Sequence, residues 1–195
     1  MMTLFWMFFV YCVVERLVEM IVSGRNQERM REKGFVESET ALGMNSMVIM
    51  HTAWFVSLLV EALVFPRAVS SGIRLLAAGI FIVAQGLRWW TLRTLGHFWN
   101  VSVLTNAGHE GAFVASGPYS FIRHPNYLVV IVELASLPLV AGAPLTAIVF
   151  SVLNGLLLRR RIGLEERSLF AIPGYQQVMS HKPRLIPRFR GLGVS

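Results

Sequence analysis

Aspartate is absent from the 195-residue chain, so all 11 acidic side chains are glutamates, and Cys12 is the only cysteine. Without aspartate there is no Ser/His/Asp triad, and no Gly-x-Ser-x-Gly elbow offers a glutamate version. The acidic ribose ligand that follows a Gly-rich strand-turn-helix is missing too, so a soluble dinucleotide-binding sheet is not supported. One cysteine excludes an internal disulfide and any cysteine-rich zinc site. Cys12 falls within the first apolar segment, as a small lipid-facing or packing residue. His97, His109 and His124 lack compact ligand spacing, so no metal is expected. Repeats, low-complexity tracts and Gly/Ser linkers are also missing, which leaves residues 1–195 as a single domain.

What the chain has in excess is apolar surface. Its hydrophobic content is 54%, its mean hydropathy +0.56, and only 15% of residues are charged. A soluble core of this size needs less, so the composition indicates an integral membrane protein. A bilayer span takes about 20 apolar helical residues. Five stretches approach that length, near 2–22, 45–65, 73–93, 127–143 and 144–162. The last two are separated by Pro138, Gly142 and Pro144, where a tight helical hairpin turns. The predicted fold is an all-α bundle of about five transmembrane helices. The N-terminus lacks a basic leader and a small-residue cleavage site, so the first helix is expected to be retained.

The net charge of +7 suits nucleic acid, but basic loops between apolar spans explain it more simply. Basic residues gather at Arg25, Arg29, Arg31 and Lys33, at Arg88, Arg93 and Arg123, and from Arg159 through Arg190. Placing these inside gives an outside N-terminus, a cytoplasmic C-terminus and five crossings, with only Arg67 and Arg74 against the pattern. The loop Gly96–His124 and the tail Arg159–Ser195 then share one side and can build one site.

Glu15, Arg16 and Glu19 interrupt the first span. Charges in hydrocarbon are costly, so a structural ion pair, with Arg25 or Arg88, is the simplest use for them. Glu61 and Glu133 invite the same reading, although Glu133, two turns after Asn126, can line a cavity. His51 with Trp54, and the group Trp89, Trp90, Phe98 and Trp99, read as interfacial aromatics. Met44, Met47 and Met50 read as packing residues.

Gly117-Pro118 forms a turn before the fourth span, Pro125 suits a first helical turn, and His124 falls near the N-cap. The free amides and positive dipole end there attract a carboxylate, which Arg123 can also grip; the alternative use for Arg123 is lipid phosphate. At the end of the fifth span, Arg159, Arg160 and Arg161 precede Glu165 and Glu166. Acids at a helix C-terminus oppose the dipole and need cationic partners, which a bound sulfonium or amine supplies.

Leu95-Gly96 with Trp99, then Gly117-Pro118-Tyr119, Arg123-His124-Pro125-Asn126-Tyr127, and Glu165-Glu166 with Leu169 and Tyr175, together resemble the isoprenylcysteine carboxyl methyltransferase family. The N-terminal half, with Glu15-Arg16-Leu17, Ser23 and Arg25-Asn26, resembles a bacterial branch associated with long-chain alkylpyrones and alkylresorcinols. The resemblance implies an integral membrane methyltransferase, in a bacterial host of the inner membrane. S-adenosylmethionine would bind in a cytoplasm-facing pocket, and a lipid-like acceptor would come from the bilayer between helices. Carried over by position, Gly111, Ala112, Phe113, Val114, Tyr119, His124, Pro125, Asn126, Tyr127, Glu165 and Glu166 would surround the cofactor. Family members often carry a polar residue at the place of Gly111, a contact that His109 can replace. Arg161, or Arg159 in its place, would orient the acceptor, with Arg123 and Glu133 as further acceptor contacts. Arg161, Glu165 and His124 are the candidate catalytic residues; a carboxylate or acidic enol acceptor needs no base, a resorcinol does. Rival readings are a phospholipid N-methyltransferase and a small transporter or scaffold using Glu15, Glu61 and Glu133 as a polar path; the lack of inverted repeats speaks against transport.

Overall fold

A computed structural model of the protein describes residues 2–37, 41–65, 67–100, 104–105 and 113–187. Five long helices dominate: α1 (Met2–Glu32), α2 (Ala41–Val64), α3 (Ser71–Leu95), α4 (Pro125–Ala141) and α5 (Pro144–Phe170), followed by the short α6 (Tyr175–Met179). Two-residue strands β1 (Val36–Glu37) and β2 (Leu104–Thr105) pair antiparallel and tie the α1–α2 connection to the loop after α3. Hydropathy carries no signal for so short a ladder.

The five predicted apolar stretches each become a helix, but α1 and α5 overrun theirs. In α1 the helix continues past residue 22 through Arg25–Glu32, a stretch rich in good helix formers. Likewise α5 continues from 162 to Phe170. Pro138 does not end α4 but lies inside it, and the turn falls at Gly142 and Ala143, with Pro144 at the first turn of α5. Gly142 has φ +84°, a left-handed conformation that favours glycine, and a Cβ there would also crowd the Arg67 carbonyl at 3.3 Å.

Two helical segments, Ser46–Val64 and Ser71–Phe98, are long and apolar enough by themselves to cross a bilayer. α1 and α5 carry charges, yet α1 turns those within its apolar stretch, Glu15, Arg16 and Glu19, inward. Its outer face shows Met7, Val10, Val14, Val18 and Ile21, all more than half exposed. This apolar exterior around a polar seam is the pattern of a membrane bundle.

The seam is an ion cluster at the meeting of α1, α3 and α4. Arg88, fully buried, donates to Glu19 at 2.9 Å and to Glu133, and lies 3.6 Å from Glu15. Arg16 donates to Glu19 at 2.8 Å and to Glu133 at 2.5 Å. The buried Cys12 thiol adds a contact to Glu133 at 3.1 Å, making it a packing residue of this seam rather than a lipid-facing one. Arg88 is therefore the partner of the α1 charges, while Arg25 is exposed.

At one end of the bundle, Glu61 of α2 caps α5, accepting from the Leu145 and Thr146 amides at 3.0 and 2.7 Å and from the Thr146 hydroxyl at 2.7 Å. The Arg67 amide donates to the Gly142 carbonyl beside it. At the opposite end, Asn26 of α1 donates to the Trp99 carbonyl at 2.8 Å. The ends of α1, α3 and α5 and the start of α4 thus lie together, where the site forms. Trp54 is not an interfacial anchor: it is fully buried in a core with Leu58, Phe81 and Leu134. Trp89 and Trp90 remain half exposed, as a belt requires.

Candidate functional site

The segment between α3 and α4 reaches its place through a tight turn. Gly117 opens a 3-10 turn, Gly117–Ser120, at φ +57°, and a Cβ there would meet the Thr94 hydroxyl at 2.5 Å. Glycine lets the chain pass close over the end of α3. The turn presents Tyr119, and the chain then enters α4 with His124 at the N-cap and Pro125 in the first turn.

Here α5 and the tail close in. The Arg123 and His124 amides donate to the carbonyls of Pro183 and Arg184, each at 2.9 Å, and Lys182 donates to the Tyr119 carbonyl at 2.9 Å. Arg184 also grips both oxygens of Glu166, at 2.7–3.1 Å. Glu166, buried, further takes Arg123 at 3.0 Å and the His124 Nε2–H at 3.2 Å. Burial works against its charge, but the hydrogen bonds from His124 and Arg184 and the charge of Arg123 prevail and hold its carboxyl at about 2. A carboxyl depressed in the folded state stabilises it above its unfolded value and loses that contribution as pH falls through the folded one. The tail is therefore expected to stay docked from neutral pH down to about pH 4 and to loosen only below it, in the interval between roughly 4.5 and 2. Acid-stable protease digestion across this range, read as cleavage after residue 175, checks the interval; release already at pH 6 contradicts it.

Glu165, the neighbour, faces the other way. It lines a cavity of about 520 Å³, a volume typical of small-molecule sites. The Tyr127 hydroxyl donates to Glu165 at 2.5 Å and itself accepts from Arg161 Nε at 2.7 Å, so arginine, phenol and carboxylate form one directed chain. His124 stacks on Tyr127 with ring centres 5.4 Å apart. Phe113 meets Tyr175 edge-on at 5.2 Å, and Tyr119 completes this aromatic end. Burial first, and then the Glu165 charge, push the Tyr119 and Tyr175 phenols far up, so both stay neutral.

The cavity has two halves. The water-side half is polar and aromatic, lined by Phe113, Tyr119, Arg123, His124, Asn126 and Glu165. The other half runs between α1 and α2, lined by Phe9, Val13 and Leu17 on one side and Val48, Phe55 and Val56 on the other. Leu17, Val48 and Val56 are also exposed on the outer surface, so this half opens sideways. Phe9 and Phe55 bridge the two helices, ring centres 5.4 Å apart.

Of the predicted site residues, Phe113, Val114, Tyr119, Arg123, His124, Asn126, Tyr127, Arg161 and Glu165 line this one cavity. Pro125 is buried behind it, and Glu166 is spent on the tail. Glu133, expected at the wall, is fully buried in the ion cluster, where it holds the lining residue Arg16. Gly111, Ala112 and His109 lie outside the described residues. Phe98, Trp99 and His51 also line the cavity. Sequence reasoning missed Arg16, Glu19 and His51 as wall residues, though polar groups within a span are the signal for such a role. It also missed Lys182 and Arg184, whose partners are set by the folded tail alone.

Residues 76–171, from α3 through α5, match the isoprenylcysteine carboxyl methyltransferase family. The chain is also similar to the uncharacterized protein YpbQ of Bacillus subtilis (strain 168), 36% identical over 166 residues, which cover 85% of this chain and 96% of that relative.

Proposed function

This chain belongs to the isoprenylcysteine carboxyl methyltransferase family and is a membrane methyltransferase, and from that premise we propose that it uses S-adenosylmethionine to methylate an oxygen of a lipid-like acceptor. The observation that carries this reading is the two-part cavity, whose polar end meets water-side loops and whose apolar end opens between α1 and α2. A charged soluble donor and a greasy acceptor need such an arrangement.

The water-side residues fit the donor. Asn126 Oδ1 and Arg123 Nε are buried without hydrogen-bond partners among the described residues, an acceptor and a donor suited to an amino acid's ammonium and carboxylate. The rings of Phe113, Tyr119 and Tyr175 offer faces for a purine. Glu165 supplies the anion that a sulfonium or ammonium needs, and Tyr127 holds it in place.

When bound, the cofactor supplies a methyl group on a positively charged sulfur. The residues then have to align the acceptor and keep water out. Arg161, fixed through Tyr127, directs an acceptor carboxylate or acidic hydroxyl at the boundary between the two halves. His124 Nε2 is engaged by Glu166, and its ring supports Tyr127. The acceptor class includes isoprenylcysteine-like carboxylates and long-chain alkylpyrones or alkylresorcinols.

We infer five crossings, with the N-terminus outside and the C-terminus cytoplasmic. The common end of α1, α3 and α5 supports this, because Arg25, Arg29, Arg93, Arg159 and Arg160 all sit towards it. Incubating purified protein and methyl-labelled cofactor with a host lipid extract, then identifying the labelled product by mass, tests the function. A labelled ester or methyl ether is expected. A methylated amine overturns oxygen transfer, and absence of both transfer and calorimetric cofactor binding overturns the methyltransferase site.

A further inference from the structure

Trp99 and Asn100 both line the cavity, and neither is among the residues that the family resemblance assigns to the donor. Each carries a buried polar atom, the indole Nε1 and the amide Oδ1, that has no partner among the described residues. Buried polar atoms left in this state call for a ligand or a water.

Their place in the wall is set by α1. Asn26 Nδ2 donates to the Trp99 carbonyl at 2.8 Å, and one helical turn further on, Met30 Sδ takes a hydrogen bond from Asn100 Nδ2 at 3.2 Å. A thioether only accepts, so this contact fixes how the amide is turned, with Nδ2 towards Met30 and Oδ1 away from it. Oδ1 is then a pure acceptor, and the indole nitrogen is a pure donor. Two consecutive residues thus bring one acceptor and one donor to the same stretch of wall.

That stretch adjoins the aromatic end of the cavity. Residues 94–98 and 113–116 flank a second groove together, which sets the connection leaving α3 beside Phe113 and Val114. Phe113, Trp99 and Asn100 line the main cavity in common, at the end away from the apolar slit between α1 and α2. A purine on the Phe113 ring therefore turns its rim towards Trp99 and Asn100.

The rim of adenine has an amine at position 6 with a bare ring nitrogen on either side of it, a donor next to an acceptor. A lone asparagine reads that pattern with both ends of its amide. Here Met30 occupies Nδ2, and the Trp99 N–H takes over the donating role. A 6-carbonyl purine would bring its oxygen against Asn100 Oδ1, acceptor on acceptor, in a place shielded from water.

We propose that Asn100 and Trp99 are specificity residues for the donor's base, Oδ1 accepting from the adenine amine and Nε1–H donating to an adjacent ring nitrogen. This rests on the S-adenosylmethionine reading and deepens it.

The test is calorimetric titration of the detergent-solubilised full chain with S-adenosylhomocysteine and with S-inosylhomocysteine, which differs by a carbonyl in place of the amine. The wild type is expected to bind the adenine compound at least about tenfold more tightly. Asn100→Leu, similar in volume, is expected to lose about tenfold of that affinity while holding S-inosylhomocysteine within about threefold, so the preference nearly vanishes. A structural role alone would weaken both nucleotides equally and leave their ratio standing. Trp99→Phe, which judges the pair independently should Asn100→Leu not fold, is expected to cost about fivefold for S-adenosylhomocysteine and nothing for one of its two analogues lacking ring nitrogen N1 or N7. An unchanged ratio in Asn100→Leu, a wild type without preference, or an equal Trp99→Phe loss for adenine and both analogues overturns the assignment. Tight binding without base preference leaves the methyltransferase reading intact, whereas a wild type that binds neither nucleotide overturns both.

Discussion

Glu165→Ala is expected to weaken S-adenosylmethionine binding about 100-fold, or ~2.7 kcal/mol, while lowering the thermal midpoint less than Glu166→Ala does. Glu165 is the cavity's own carboxylate on the water side, and its geometry is set by the Tyr127 hydroxyl. A cationic ligand would lose its charge-assisted contact at a site partly shielded from water, where such contacts are strongest. The fold loses the Tyr127 hydrogen bond between α4 and α5 but keeps its docked tail, which Glu165 does not hold. Glu166→Ala should show the opposite pattern, releasing Arg184 and the tail before it disturbs the donor's charge partner. Calorimetry beside thermal unfolding of both variants separates the roles. Donor affinity unaffected by Glu165→Ala would remove the carboxylate from the site.

Arg88→Leu is expected to destabilise the protein by about 3–5 kcal/mol, seen as a large fall in thermal midpoint in detergent. The wild-type cluster sets three carboxylates, Glu15, Glu19 and Glu133, against Arg16 and Arg88. Loss of Arg88 leaves the three acids with one cation, and Glu133 has no exposure through which to recover solvation. Replacing Arg88 and Glu133 together with leucine restores the original balance of charge, and an apolar pair of similar volume costs little in such a place. The double variant should therefore recover much of the loss. A double variant less stable than the single one would contradict the charge argument.

The sequence made the five helices legible because apolar runs of span length are a strong signal, and it made the site legible because Arg123-His124-Pro125 and Glu165-Glu166 stand at helix ends. It could not tell the two glutamates apart. Adjacent helical residues point about 100° from each other, and what assigns Glu166 inward to the tail is Arg184, whose position depends on the fold. The polar extension of α1 to Glu32 was invisible to hydropathy, which registers where a lipid span stops but not where a helix does. His51 and Trp54 were misread for a related reason. A ring near the start of a span suits the interface by composition, yet packing places Trp54 in the core and His51 on the cavity wall.

The strap over the polar half of the cavity comes from residues beyond α5: Tyr175, Met179, Lys182 and Arg184 follow the last long helix. During synthesis, all five long helices therefore emerge before this wall exists. The apolar half of the cavity, between α1 and α2, can thus form while the polar half is still incomplete. Assembly order alone leaves the cavity unfinished until the segment after α5 folds back.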